Sequence, residues 1–464
     1  MDRMSVSVGG WSGAFRSPGF KFFLVGALVI LLLIPLGLVW LVLSERQSRA
    51  LSVQAEIAAD WGMAQRIHGP YLIIPYTVRI QTLQGDKTIE TAQERRAIFL
   101  PDAFRVNASS KTEIRRRSIY EVTVYGADIS LEGEFGRADL LQVGALPEAI
   151  RWQDAILAIG INDVSGLREG VTLQVPGASP VAFEPSIGIP NNPTNGIHAR
   201  IGALIAPADS GGAPSTATAA PLAFNVKLAL NGSSSLSFAP VGRTSEVRIA
   251  SDWPHPSFTG GFLPADREIG SSGFTANWRV PHLARSVPQS WADIGTFQSP
   301  LDRFKGYDMG VNFFVPVDFY SLVDRAAKYG FMFLVVAFGA VFVLELMSRK
   351  RVHAVQYIFV GLAMVIFYLL LLSFSEHIGF TPAYLLASAA TGGMISLYVG
   401  KALASARRGW TMLAVFLVLY SLLFLILQLE DYALLAGAIA GFVLLTATMF
   451  ATLRVDWSGE EARP

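Results

Sequence analysis

Cysteine is absent from the 464 residues. That excludes disulfides, thiolate nucleophiles and cysteine-bound metals, and any large folded region must stand on its own core. A basic excess is missing too, since 37 Lys and Arg meet 36 Asp and Glu for a net charge of +1. No nucleic-acid partner is expected, because neutralising phosphates takes a strongly basic face. The chain also has no G-x-x-x-x-G-K-S/T phosphate loop, no H-E-x-x-H zinc pair and no G-x-S-x-G nucleophile elbow, which weakens enzyme and ATPase readings. The six histidines, His68, His198, His255, His282, His353 and His377, form no local metal-ligand pair. No catalytic residue, cofactor site or metal ligand is assigned, and no cofactor is expected.

Apolar residues are plentiful and unevenly placed. The 52% hydrophobic content is high for a soluble protein, while 16% charged residues are too many for a chain lying wholly in a membrane. Between His353 and Glu376 no ionisable group occurs, and Ala354–Phe374 as a helix reaches across about 30 Å of hydrocarbon with its backbone hydrogen bonds satisfied. Phe22–Leu43 is a second run, longer than the h-region of a cleaved signal peptide and without a small-x-small exit, and so reads as an uncleaved anchor kinked at Pro35 and Gly37. Gly330–Met347, Pro382–Val399, Trp410–Leu427 and Tyr432–Leu453 bring the expected spans to six. Gly437 and Gly441 form a G-x-x-x-G step, extended by Ala433, that suits close packing within the chain or against a second copy.

After the anchor, Ser44–Asp60 continues as a helical stalk that Gly62 weakens and Gly69-Pro70 is expected to end. The period then changes to two. Tyr120, Val122 and Val124 alternate with polar residues, and Ile129, Leu131 and Phe135 oppose Asp128, Ser130, Glu132 and Glu134, which predicts half-buried strands. Phe224, Val226, Leu228 and Leu230 alternate up to Asn231-Gly232, and Leu236 and Phe238 resume, the signature of a hairpin. Ile205–Pro221 reads as an exposed loop that could divide two β-rich lobes. Asp318 is a candidate N-cap for the helix carrying the Asp324–Lys328 i,i+4 pair. Glu345, near the end of the second span, is within reach of Arg349 at i+4.

Charge in the short loops gives an orientation. Arg349, Lys350 and Arg351 lie in one loop and Lys401, Arg407 and Arg408 in another, while the alternate loops carry Glu376 and then Glu430 and Asp431. Basic loops stay in the cytoplasm. The fold class expected is an α+β membrane protein of six transmembrane helices, one N-terminal anchor and five C-terminal, with a large β-rich periplasmic domain. Residues 1–21 form a cytoplasmic N-terminus, 22–43 the anchor, 44–318 the periplasmic domain with its helical stalk, 319–453 a juxtamembrane helix and five-helix bundle, and 454–464 a cytoplasmic tail.

The phrases GPYLIIPY (Gly69–Tyr76), RRRSIYEVTVYGA (Arg115–Ala127), SDWPHPSFTGGFLP (Ser251–Pro264) and PVDFYSLVDRAAKYG (Pro316–Gly330), with the long span from His353 to Phe380, together resemble the CreD family of inner-membrane proteins. The resemblance implies a Gram-negative inner-membrane protein linked to the CreBC two-component response, envelope integrity, colicin tolerance and, in some bacteria, β-lactam response. It implies no catalytic residues.

The residues themselves leave two readings, an envelope-stress effector acting through an external interaction domain, and a transporter or membrane-embedded lipid-handling protein. The first is favoured because the span interiors are poor in the ionisable groups that ion coupling needs. Expected partners are membrane lipids, with envelope proteins or glycans and a second copy of the chain as further candidates. The candidate functional surface joins Glu376 and His377, directly after the long span, to Asp252 and His255, where Pro254 and Pro256 stiffen the loop.

Overall fold

In the computed structural model, which describes residues 18–84, 87–145, 150–190, 194–206, 218–293, 303–313, 319–348, 350–429 and 433–452, helix α1 runs unbroken from Pro18 to Trp61. Its 44 residues extend about 66 Å at 1.5 Å per residue. Pro35 lies inside it, and the first half leaves Phe23, Ile30, Ile34 and Leu38 exposed, as an apolar helix facing lipid requires. The helix stops at Gly62, whose φ of +142° lets its N–H reach back to the Ala58 carbonyl at 2.8 Å. Gly69-Pro70, expected to end the stalk, lies instead inside the first strand.

The chain divides into a helical unit, Met1–Leu51 with Val317–Pro464, and a β unit, Ser52–Pro316. The helical unit contains the first part of α1 together with α2 (Phe319–Lys328), α3 (Gly330–Leu346), α4 (Ala354–Ile378), α5 (Phe380–Ala402), α6 (Ala406–Gln428) and α7 (Ala433–Thr452). Among the described residues four helices, α1, α4, α5 and α6, are long and apolar enough to cross a membrane, and α2–α3, bent by 47°, makes a fifth if taken as one span. The sixth expected span corresponds to α7, part of whose side chains, like Glu430 and Asp431 before it, fall outside the described residues. Asp318 falls outside them too, whereas the expected Asp324–Lys328 bridge is present at 2.5 Å.

Aromatic side chains fill the interior of this unit. Phe367, Tyr368, Tyr384, Phe416 and Tyr420 are buried together. The Tyr384 hydroxyl donates to the Tyr420 carbonyl at 2.7 Å, and Thr391 Oγ1 meets the Tyr420 hydroxyl at 2.9 Å, so these three hydroxyls are satisfied without water. At the crossing of α5 and α6 the backbones nearly touch, because a Cβ on Gly400 would lie 3.1 Å from the Gly409 Cα. In the G-x-x-x-G step of α7, Gly437 faces Tyr329 of the same chain while Gly441 faces open space.

The β unit contains strands β1 (Gln65–Gln84), β2 (Lys87–Phe99), β3 (Ala103–Arg117), β4 (Tyr120–Phe135), β5 (Ile156–Ile161), β6 (Thr172–Gln174), β7 (Val181–Ala182), β8 (Glu184–Pro185) and β9 (Gly196–Arg200). They are followed by β10 (Leu222–Ser233), β11 (Ser235–Phe238), β12 (Thr244–Ser251), β13 (Pro256–Gly260), β14 (Asp266–Gly270), β15 (Gly273–Pro281), β16 (Ser290–Asp293) and β17 (Met309–Phe313). One sheet has the order β13-β17-β11-β1-β5-β9-β8, with β2 also paired to β1 and β16 paired to β2, and the other β14-β15-β12-β3-β4-β10-β6-β7. A single cluster of buried side chains from both sheets, among them Leu72, Ile74, Leu131 and Val226, forms the core. Two lobes are therefore not seen in the described part, although residues 207–217 of the expected divider lie outside it.

The predicted alternation in β4 holds, with Ile129, Leu131 and Phe135 buried. Val53 and Ile57 of α1 cover Val122 and Val124 at its other end, where Trp61 also donates to the Tyr125 carbonyl at 3.2 Å. The expected Asn231-Gly232 hairpin is absent. Both residues continue β10, paired with Gly126 and Tyr125 of β4, and Gly232 lies so close to Tyr125 that a Cβ would sit 2.4 Å from its hydroxyl. The chain turns at Ser234, with φ of +62°, and β11 then enters the other sheet, parallel to β1.

Candidate functional site

An open cleft of the β unit lies on the outer face of the second sheet. Side chains alternate across a strand, so the burial of Phe104, Val106 and Ala108 turns Arg105, Asn107 and Ser109 outward. The pairing places Arg105 beside Glu246, which lies beside Arg279, and lines up Asn107, Arg248, Asn277 and Asp266 in the next row. A cleft of about 620 Å³ opens over Ser109, Lys111, Asp252, Glu268 and Thr275, and one of about 380 Å³ over Arg105, Asn107, Arg248 and Asp266. Glu246 is engaged by Arg105 at 3.4 Å and Arg279 at 3.1 Å. Lys111, Arg248, Asp266 and Glu268 have no side-chain partner among the described residues. Every residue of β14 is exposed, and among the described residues that strand pairs on one side alone, so its other edge offers backbone N–H and C=O groups.

Of the residues chosen from sequence, Asp252 lies in this cleft. Its Oδ1 accepts from both the backbone N–H and the hydroxyl of Thr112, each at 2.8 Å, which fixes the carboxylate against β3 just past that strand's pairing with β12. His255 is exposed immediately before β13, and the Trp253 indole N–H donates to its carbonyl at 3.1 Å. No hydrogen bond or ion pair joins Asp252 to His255. Glu376 and His377 belong to the helical unit, in the last turn of α4. Glu376 is half-buried and accepts from the Tyr320 hydroxyl at 3.2 Å, tying α2 to α4, while His377 is exposed.

Two buried polar nodes have partners that the sequence reading did not supply. In the helical unit Glu345 is 6% exposed. It takes the Lys21 ammonium, the Val352 N–H at 2.8 Å and the Tyr357 hydroxyl at 3.0 Å, while Lys21 also donates to the Val352 carbonyl at 2.8 Å. Arg349, the partner expected from sequence, lies outside the described residues. In the β unit His68 is 1% exposed, its Nδ1 3.1 Å from the Tyr71 hydroxyl and its Nε2 without a partner. Burial first, and the Arg66 charge second, lower its pKa from 6.5 to about 3. Arg66 pairs with Asp308 at 2.8 Å, and burial raises the Asp308 carboxyl. Among the described residues no group of His, Asp and Glu is arranged to hold a metal ion.

The profile of a family described as Inner membrane protein CreD matches residues 17–458. The chain belongs to the CreD family. A curated relative, the Inner membrane protein CreD of Escherichia coli (strain K12), is 33% identical over 433 residues, which cover 92% of this chain and 91% of that protein. The interval matched by the CreD profile takes in both clefts, the His68 node and the Lys21–Glu345 pair, so the similarity extends over both units. As a CreD-family protein the chain combines a large β-sheet region with four or five helices suited to a membrane.

Proposed function

We propose that this chain is an inner-membrane envelope-stress effector of the CreD type, whose β unit works in the periplasm as an interaction module. Through that module it maintains envelope integrity and affects colicin tolerance or β-lactam response. The observation that carries the reading is the mixed-charge cleft of the second sheet beside the free edge of β14. Unpaired charges of both signs, among hydroxyl and amide side chains, suit a polar protein segment that can add to the edge while its side chains meet Lys111, Arg248, Asp266 and Glu268. Aromatic packing inside α4–α6 supports a closed bundle over a transport path.

Orientation rests on the helical unit. Arg408 donates to the Met347 carbonyl at 2.9 Å and to Ser348 Oγ at 2.9 Å, so the two basic loops share one end of the unit. Lys21, bonded to Val352, puts the start of α1 at that same end. With six spans, α7 being the last, that end faces the cytoplasm together with both termini. A periplasm-active reporter fused after Leu43 or Asp302 is expected to be active and one fused after Arg351 or Arg408 silent; the reverse pattern would overturn the orientation.

A photo-crosslinking residue at Thr275, in the cleft, is expected to capture one discrete envelope protein in living cells. Arg248→Glu should reduce that product several-fold and leave the protein level unchanged. Equal capture from an exposed site outside the cleft, such as Leu141, would overturn the assignment of the cleft.

A further inference from the structure

Outside the β unit, an apolar groove of about 600 Å³ runs along α5 and α6, lined by Gly393, Leu397, Lys401, Ala404, Trp410 and Leu413. Its shape follows from the glycines. Gly400 and Gly409 bring the two helices together. Gly393, two turns earlier, meets nothing within 4 Å and leaves a trench. The trench walls are apolar, and Trp410, 71% exposed, lies along it.

The charged end of the groove is asymmetric. Arg408 is spent on Met347, Ser348 and Leu403. Lys401 and Arg407 are exposed and have no side-chain partner among the described residues. Ser405 precedes α6 without a side-chain cap, so the field of the helix start has the same sign as these cations. Lys350 and Arg351 of the facing loop are exposed as well.

We propose that this groove holds an anionic phospholipid, its acyl chain over Gly393 and Leu397 and its phosphate at Lys401 and Arg407. Charge complementarity selects this occupant. A second copy of the chain docked symmetrically would bring Lys401 and Arg407 towards their own equivalents, and like charges repel. A zwitterionic lipid fills the trench equally well but carries an amine that opposes the same cations. A net-negative headgroup gains about fivefold in binding per nearby cation, the fold-change that corresponds to about 1 kcal/mol.

The test uses the full-length protein in phosphatidylcholine vesicles, with brominated phosphatidylglycerol or brominated phosphatidylcholine as quencher. Subtracting the Trp410→Phe signal isolates Trp410. Half-quenching is expected at a mole fraction of brominated phosphatidylglycerol at least about fivefold below that of brominated phosphatidylcholine. Lys401→Gln should shrink that preference about fivefold while leaving quenching by the neutral lipid intact. Gly393→Leu, whose Cβ would meet nothing within 4 Å, fills the trench and should protect Trp410 from both lipids; Leu397→Phe replaces it if the first variant fails to insert. Equal quenching by the two lipids in the parent protein would show an ordinary lipid-facing surface and overturn the site. So would a Lys401→Gln variant with unchanged preference, or unchanged quenching once the trench is filled.

Discussion

Lowering the pH from about 8 to about 4.5 is expected to cost the β unit about 2–3 kcal/mol of folding stability through His68 alone. The folded state holds this imidazole neutral, with its pKa near 3, because burial removes the water that would stabilise the cation and Arg66 repels it. An unfolded chain takes up the proton near 6.5. The contribution is therefore fully present above pH 6.5 and is lost as the pH falls from 6.5 towards 3. The ring is packed against the Gly160 backbone, where a Cβ would lie 1.8 Å from it. Asp308, raised by burial, acts with the opposite sign, so the informative quantity is a difference. Urea melts of the fragment Ser52–Pro316 at each pH, parent against His68→Gln, cancel every other titrating group. The variant should show a shallower loss between pH 6.5 and 4.5, and parallel curves would mean that His68 is not the sensitive group.

That node shows why parts of the molecule were legible in sequence and others were not. A run such as Ala354–Phe374 has few physical solutions, since only a helix satisfies its own backbone in hydrocarbon, and α4 runs through it. Alternation in β4 is equally local, and Ile129, Leu131 and Phe135 are buried as their period demands. Sheet pairing is not local. Asn231-Gly232 carries a turn's composition, yet β4 pairs along both residues and the turn moves to Ser234, where the strand must change sheets. The parallel pair β3–β12 joins segments about 140 residues apart, leaving no trace in either stretch. Asp252 stood out beside a proline-flanked histidine. The Lys111, Glu268 and Thr275 that share its cleft come from three different strands, and each alone looks like an ordinary outward residue. Glu345 is the sharpest case, because the local i+4 rule points to Arg349 while the structure supplies a lysine 324 positions earlier.

Replacing Glu345 by leucine is expected to destabilise the helical unit by about 3 kcal/mol, the lower end of the cost of breaking a buried ion pair. Three groups lose their acceptor at once: the Lys21 ammonium, the Val352 N–H and the Tyr357 hydroxyl. Lys21 keeps the cost from being larger, because its side chain is 25% exposed and its long stem can carry the charge outward. Glu345→Gln preserves an acceptor for Val352 and Tyr357 and should lose less. The consequence is mechanical, since α1 is fastened to the rest of the unit by two polar clasps, Lys21 to Glu345 and the Trp40 indole to Asp324 at 3.0 Å. Nineteen residues separate them, about 28 Å of helix, which matches the hydrocarbon thickness that α1 crosses. Trp40→Phe breaks an exposed hydrogen bond and should cost no more than about 1 kcal/mol. Thermal denaturation of the full chain in detergent, run for Lys21→Leu, Glu345→Leu and the double variant, measures the coupling. The double variant should be more stable than the sum of the singles by about 2 kcal/mol, and strict additivity would show that the two residues do not hold each other.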